Sequence, residues 1–186
     1  MKKLIQNRLT VFALGALVLF SLQSQAQEED KSKRPSPPAE ATGSVDGTDI
    51  TINYSQPSVK GREIYGDLVP YGEVWRTGAN EATTFEASSD VQIEGQTLPA
   101  GKYALFTIPT EEDWTVIFNK TAEQWGAYDY DEAQDALRVE VTPEETEELT
   151  EKLTFEVGDD GKVTMMWANT AVSFDVSAAG QASTEQ

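Results

Sequence analysis

The side chains in this sequence that could do chemistry are carboxylates. The chain of 186 residues has no histidine and no cysteine but 32 aspartates and glutamates. It therefore excludes Ser-His-Asp and Cys-His nucleophilic sites, zinc sites built on thiolate or imidazole, and haem held by histidine. It also has no Walker-type glycine-rich loop and no dinucleotide fingerprint, so we expect no nucleotide and no other cofactor. Carboxylate catalysis, hard-cation binding and binding without catalysis are left.

Two of the carboxylates flank an aromatic residue and an arginine. Glu73 and Glu81 lie on either side of Trp75 and Arg76, and a pair of carboxylates beside aromatic side chains is what a glycosidase uses. A structural interpretation of the same pattern is that Arg76 pairs with Glu73 or Glu81 and holds the loop together. Under a third interpretation, Arg76 faces a cleft and holds the anionic or hydroxyl groups of a ligand.

A second acidic pattern is Asp129-x-Asp131-x-x-x-Asp135. Its oxygen ligands could bind calcium, but it lacks the glycine and the distal glutamate of an EF-hand loop. Because acidic residues are so frequent in this chain, such spacings arise by chance. We therefore expect a solvated acidic loop and no metal site.

Aromatic residues provide a further candidate site. A platform on which a sugar ring stacks could be formed by Tyr71 and Trp75, with Asn80 nearby, or by Trp125, Tyr128 and Tyr130. The alternative is that these rings anchor the core and the loops, because aromatic side chains bury much surface per residue. A concave surface lined by Tyr71, Trp75, Arg76 and Asn80 would favour ligand binding.

The segment 55–82 contains the first of these groups and has neither helical nor strand periodicity. Its middle carries residues that disfavour regular helix and strand, Gly61, Gly66, Pro70, Gly72 and Gly78. A long irregular connection in a compact domain is commonly a functional or self-packed loop. We predict an ordered loop anchored by its aromatic residues.

The rest of the domain alternates with a period of two, which indicates half-buried strands. It predicts an all-β fold, an antiparallel β-sandwich (jelly-roll-like or a partly closed barrel) of about nine or ten strands. One or two short helical turns are expected within 121–135, and the last three strands are expected to form a meander. The predicted strands are 41–45, 49–54, 83–87, 91–93, 102–108, 114–119, 136–141, 148–157, 162–167 and 171–176.

The two ends of the chain differ from this domain. Residues 1–26 have the pattern of a signal peptide, with Lys2, Lys3 and Arg8 before an apolar run and small residues before Gln27. The apolar run of about 12 residues is shorter than a membrane-spanning helix, so we predict cleavage before Gln27 and no membrane insertion afterwards. Residues 27–39 are expected to be a disordered tether, 40–177 a single domain and 178–186 a disordered tail. The predicted location is the periplasm or the outside of the cell.

The net charge of −18 limits the partners. Cleavage would make it more negative by three, because residues 1–26 carry three bases and no acid. Such a surface repels nucleic acid and anionic lipid headgroups. We therefore expect no nucleic-acid partner.

Four sequence blocks resemble a known family, the bacterial domain-of-unknown-function family 2911. The blocks are 70–83 (PYGEVWRTGANEAT), 98–103 (LPAGKY), 114–119 (WTVIFN) and 125–130 (WGAYDY). The similarity covers about residues 40–177. It implies an exported, β-rich protein and carries no activity that could be transferred.

Three hypotheses about function follow. The leading one is a non-catalytic binding module for a small molecule or glycan. The second is a hydrolase that acts through Glu73 and Glu81, and the third is a structural protein associated with the cell envelope.

Overall fold

Two antiparallel sheets form the part of the protein that the structure describes. The structure, a computed structural model, describes residues 30–179. In these residues the sheets are not closed into a barrel, and the predicted all-β sandwich is confirmed in its open form. The six-stranded sheet has the order β1-β2-β3-β6-β7-β8, and the four-stranded sheet has the order β5-β4-β10-β9. The strands are β1 (Pro38–Val45), β2 (Thr48–Ser55), β3 (Thr83–Ala87), β4 (Val91–Ile93), β5 (Gln96–Leu98), β6 (Gly101–Ile108), β7 (Trp114–Asn119), β8 (Asp135–Val141), β9 (Glu144–Val157) and β10 (Lys162–Ala178).

Strands β1 and β2 form the predicted hairpin. Asp46 and Gly47 connect them with φ values of 51° and 83°, as a type I′ turn requires at both central positions. The residues that the alternation assigns to one face, Ile50, Ile52 and Tyr54, are all buried. The other face of β2 is therefore left free to line a surface.

The main core lies between the two sheets. Phe85 of β3 and Phe118 of β7 meet Phe174 of β10, with ring centroids 6.2 and 5.6 Å from it. Each of these rings is almost fully buried, and burial of such side chains contributes about 2–3 kcal/mol apiece. Aromatic contacts thus join the sheets across the middle of the sandwich.

The predicted meander of three final strands is wrong. Lys162–Ala178 is one continuous strand, β10, paired with β9 through irregular register on both sides of Ala168. Ala168 has a φ of +55° and lies at the centre of a bulge whose extra residues are on β9, where 145–154 oppose only 166–170 of β10. The bulge changes the buried positions from odd (Met165, Trp167) to even (Val172, Phe174) without any turn.

The start of strand β9 also differs from expectation. Strand β9 already begins at Glu144, whereas the sequence predicts a short turn before a strand at 148.

Asp131 caps a 3-10 turn at Glu132–Gln134 by accepting from the Ala133 amide. This turn confirms the short helical turn predicted within 121–135.

The irregular segment after β2 is ordered and packed, as predicted. Val59, Ile64, Val69 and Trp75 are buried in the main core. The indole of Trp75 stacks on Trp167 of β10 at 5.8 Å and donates from Nε1 to the Gly78 carbonyl at 3.1 Å. The segment is therefore a structural part of the core as well as a connection.

The chain before β1 also contacts the domain. Residues 30–39 belong to the predicted tether, but Lys31–Lys33 form a 3-10 turn, and Pro38 and Ala39 are already part of β1. The predicted tail begins with Ala178, which is the last residue of β10. The predicted signal peptide, residues 27–29 and residues 180–186 lie outside the described residues. Within 30–179 no helix is long and apolar enough to cross a membrane.

Candidate functional site

A cleft of about 630 Å³ lies on the outer face of the six-stranded sheet. Its floor consists of Asn53, Thr84 and Lys102 on the neighbouring strands β2, β3 and β6. These residues alternate with buried core residues, so the period of two places them on the outside. Asn53 and Thr84 are direct cross-strand partners. Lys102 forms no ion pair with any residue of 30–179.

Two walls enclose this floor. One is the N-terminal arm, defined here as residues 30–37 together with the start of β1, and the other is the segment 122–125. We call the whole space the Trp125 cleft, after the aromatic residue at the end of the second wall. The floor and the two walls enclose a concave space, which is the general shape of ligand-binding sites.

Glu81 holds the N-terminal arm in place. Its carboxylate accepts from Arg34 Nη1 at 2.8 and 3.1 Å and pairs with Lys31 Nζ at 2.8 Å. Next to it, Asn80 Nδ2 donates to the Ser36 carbonyl at 2.9 Å and to Ser55 Oγ at 3.1 Å. Two adjacent side chains of the irregular segment therefore hold the arm against β2.

The same short stretch holds the second wall. The Ala82 amide donates to the Gln124 carbonyl at 3.0 Å, and the Gly126 amide donates to the Asn80 carbonyl at 3.1 Å. Asn80 has a φ of +61°, a left-handed conformation that asparagine tolerates better than most residues. The sequence Asn80-Glu81-Ala82 is thus the common support of both walls.

Two polar atoms of cleft-lining residues are buried without a partner. Thr84 Oγ1 and Gln124 Oε1 make no hydrogen bond with any described residue. An unpaired buried polar atom costs about 1–3 kcal/mol of desolvation, and native structures contain few of them. Both atoms belong to residues that line the cleft, and both are closed off from solvent in this conformation.

Trp125 provides an exposed aromatic surface at the same place. Its side chain is 53% exposed, whereas the other three tryptophans are buried. The Arg34 guanidinium lies 5.7 Å from the centroid of its ring, a cation–π distance that orients the indole. The cleft therefore contains an exposed indole ring, which Arg34 contacts, as well as residues with unpaired polar atoms.

The charge state of Glu81 is set by its partners. Partial burial raises the pKa of this carboxyl, but hydrogen bonds from Lys31, its own backbone and Arg34 outweigh that effect and lower the pKa to about 2. Glu81 is therefore ionised at every physiological pH. It acts as an anchor for the arm and does not supply a proton.

The structure does not form the Arg76 ion pair considered for the loop. Glu81 pairs with Lys31 and Arg34, Glu73 is exposed, and Arg76 has no ion pair with any residue of 30–179. Because Trp75 pairs through its backbone with Thr107 and points into the main core, Arg76 points to the outer face. Burial lowers the pKa of Arg76, and its Nε is buried without a partner among the described residues.

The candidate aromatic platform is divided between different places. Trp75 belongs to the core, Asn80 lies beneath the cleft walls, and Tyr128 is 83% exposed outside the cleft lining. Tyr71 lines a separate cleft, which is described below. Only Trp125 among these residues lines the larger cleft, so the concave surface expected around Tyr71, Trp75, Arg76 and Asn80 does not form.

The three candidate calcium ligands are not brought together. Asp135 accepts from Asn119 Nδ2, Tyr130 Oη and Arg138 Nε at 2.7–2.8 Å. Asp131 caps a 3-10 turn, and Asp129 is exposed. In residues 30–179 no three acidic side chains are grouped so that they could hold a metal ion.

The interactions of Asp135 have a structural role. Burial and the hydrogen bond to Asp135 raise the pKa of Tyr130 to about 12, so this phenol remains protonated. Tyr130 also packs edge-on against Phe106 at 5.1 Å, on the outer face of the six-stranded sheet. The acidic loop is thus fastened to the sheet beside the Trp125 cleft.

The fold and the cleft define a class of protein only by architecture, as a two-sheet β-sandwich domain with an open cleft on one outer face. A family model described as "Protein of unknown function (DUF2911)" matches residues 36–176. The chain belongs to this family, which confirms the resemblance seen in the four sequence blocks. No curated protein and no solved structure shows significant similarity to the chain.

Proposed function

We propose that the protein is an exported, non-catalytic binding module, and that the Trp125 cleft binds a small polyhydroxylated molecule such as a sugar or a short glycan. One observation carries the proposal: the exposed Trp125 lines the same cleft as Thr84 and Gln124, two residues that each have a side-chain oxygen without a partner among the described residues.

The chemistry of a sugar matches these groups. Gln124 Oε1 is an acceptor, and Thr84 Oγ1 is both donor and acceptor, so sugar hydroxyls can pair with both once the side chains rotate and bring these buried oxygens to the cleft surface. The apolar face of a pyranose ring can pack on the indole of Trp125, as amphipathic aromatic side chains allow. A volume of about 630 Å³ lies within the roughly 300–1,000 Å³ that small-molecule sites have.

The hydrolase hypothesis finds less support at this cleft. A glycosidase needs one carboxyl group with a raised pKa to act as the acid. The pKa of Glu81 is lowered to about 2 by its hydrogen bonds, in spite of the opposing effect of burial. Glu73, its suggested partner, is not among the residues that line the cleft.

Export is part of the proposal. It is supported by the basic start of the chain, the short apolar run and the small residues before Gln27. The absence of cysteine from the sequence is compatible with an oxidising compartment, because no thiol is left to oxidise. Mass spectrometry of exported protein tests this part, and an intact N-terminus that begins at Met1 would contradict it.

Ligand binding can be tested with the fluorescence of Trp125. The mature protein is titrated with malto-, cello-, xylo- and chito-oligosaccharides, while the quenching of tryptophan emission by acrylamide is measured. We expect at least one sugar to protect Trp125, because the other three tryptophans are buried and quench little. Trp125→Ala should abolish binding measured by calorimetry.

The matched control for this test is Tyr71→Ala. It removes another exposed aromatic side chain, and Tyr71 lines a separate cleft. Binding should be unchanged in this variant. If no oligosaccharide binds, or if Trp125→Ala binds as tightly as the parent, the assignment of the cleft to a glycan is wrong.

A further inference from the structure

A second cleft, of about 320 Å³, lies between the irregular segment, β7 and the β9–β10 pair. It shares no lining residue with the Trp125 cleft. Three aromatic residues, Tyr65, Tyr71 and Trp114, line one part of it, and we call it the Tyr71 cleft. The inference drawn from it is independent of the proposed function.

The aromatic side chains of this cleft are held in fixed positions. The Tyr65 ring meets Trp114 edge-on at 4.9 Å and also contacts Trp167 at 6.2 Å. The Tyr71 ring lies over Gly66, where an added Cβ would come within 3.0 Å of it, yet Tyr71 remains 41% exposed. Tyr65 Oη is buried and has no hydrogen-bond partner among residues 30–179.

The remaining lining is acidic. Glu111 from the β6–β7 loop and Glu144 and Glu145 from the start of β9 line the cleft, and no lysine or arginine does. None of the three carboxylates forms an ion pair with a described residue. The net charge of −18 adds to the local negative potential. The cleft therefore attracts cations and repels anions.

We propose that the Tyr71 cleft binds a small organic ammonium ion. The exposed ring of Tyr71 attracts such a cation through its quadrupole, and the glutamates compensate its charge. A bare metal ion fits less well, because the described residues group no three acidic side chains around one point and aromatic rings supply no hard oxygen ligands. A neutral ligand would leave the carboxylates uncompensated.

The test uses two cations and a neutral analogue. Choline and propylammonium are titrated into the full mature protein by calorimetry, and 3,3-dimethyl-1-butanol serves as the uncharged isostere of choline. We expect at least one cation to bind, and the neutral isostere to bind at least roughly tenfold more weakly than choline, a ratio that corresponds to ~1.4 kcal/mol. If neither cation binds, or if the isostere equals choline, the proposal is wrong.

Variants locate the binding to this cleft. The double variant Glu144→Gln with Glu145→Gln should weaken cation binding about tenfold or more. Glu147→Gln with Glu148→Gln is its matched control, because it makes the same charge change on the same strand outside the cleft lining. Tyr71→Ala should weaken binding, and Tyr71→Phe should restore it, because phenylalanine retains the aromatic face.

Three further outcomes complete the test. Melting curves verify that each variant is folded. Equal cation affinity in both glutamate double variants would overturn the assignment, as would displacement of choline by calcium at equal concentration, which would indicate a metal site. Trp125→Ala should leave choline binding unchanged, so a failure of the glycan proposal and a failure of this one can be told apart.

Discussion

At the scale of single residues, Thr83 and Thr84 of β3 form a natural pair for comparison. Thr83 is fully buried on the core side, and its Oγ1 donates to the Thr77 carbonyl at 2.8 Å. Thr84 faces the Trp125 cleft, and its Oγ1 has no partner among the described residues. The threonine on the core face of the sheet therefore has a hydrogen-bond partner, whereas the threonine on the outer face has none among the described residues.

Replacement of each threonine by the near-isosteric valine should have opposite effects. Thr84→Val should leave the free energy of unfolding unchanged or raise it by up to about 1 kcal/mol, because it removes an unpaired buried hydroxyl. It should also weaken binding of any sugar that the parent binds. Urea unfolding and calorimetry measure these two effects.

Thr83→Val is the control for this prediction. It should destabilise the protein by about 1–3 kcal/mol, because the Thr77 carbonyl is left without its partner. If Thr84→Val destabilises as much as Thr83→Val, then Thr84 Oγ1 has a partner in solution that stabilises the fold, and the argument from an open hydroxyl fails.

The residues of the Trp125 cleft show how far the sequence could lead to a site. Trp125 was recognisable as an aromatic residue in an irregular stretch. Thr84 and Lys102 look like ordinary outward positions of alternating strands, and Gln124, although it directly precedes Trp125, has no feature of its own that indicates a site. Their common location depends on the pairing of β2, β3 and β6, which a single sequence does not specify.

At the scale of elements, the N-terminal arm is held mainly by the carboxylate of Glu81. The pKa of this group is lowered to about 2, as hydrogen bonds from Lys31, the backbone and Arg34 overcome the effect of burial. Its stabilising contribution is therefore fully present above the unfolded-state pKa near 4.5 and is lost as the pH falls towards 2. Because the Glu81 side chain is 39% exposed, screening by water limits the contribution to ~1 kcal/mol.

Glu81→Gln should therefore reduce the free energy of unfolding at pH 6 by about 1 kcal/mol and change it little at pH 2. Urea unfolding at the two pH values measures the difference. Amide hydrogen exchange of the arm should become faster in the variant at pH 6, because the arm loses its ion pairs. Glu73→Gln is the matched control, since Glu73 is exposed and forms no ion pair with a described residue. Parallel pH dependence in both variants would contradict the assigned role of Glu81.

Strand β10 shows where the sequence pattern is ambiguous. A change from odd to even apolar positions between Trp167 and Val172 is produced by a turn or by a β-bulge. The acidic residues from Glu144 onward have low strand propensity. The sequence therefore did not indicate that β9 begins at Glu144 and pairs with β10 on both sides of the bulge. The β1–β2 hairpin, by contrast, was predictable because Asp46-Gly47 specifies one turn type.

At the scale of the whole molecule, the net charge of −18 opposes the folded state through self-repulsion. Salt screens this repulsion, so the melting temperature at pH 7 should rise as sodium chloride is increased from about 10 to about 150 mM. Differential scanning calorimetry measures the rise. Near pH 4.2, the isoelectric point of the sequence, the salt effect should nearly vanish. A melting temperature that falls with salt at pH 7 would show that attractive ion pairs outweigh the repulsion.

The stack of Trp75 on Trp167 has a consequence for how the chain folds. One ring comes from the irregular connection after β2, and the other comes from the last strand. The stack therefore forms only after nearly the whole domain has been synthesised and both sheets have met. Closing such distant contacts makes folding slow, in the millisecond-to-second range of other β-sandwiches. Until β10 is in place, the segment 55–82 has no surface to pack against. Partly folded chains then expose the aromatic side chains of this segment, and such exposed surface promotes self-association.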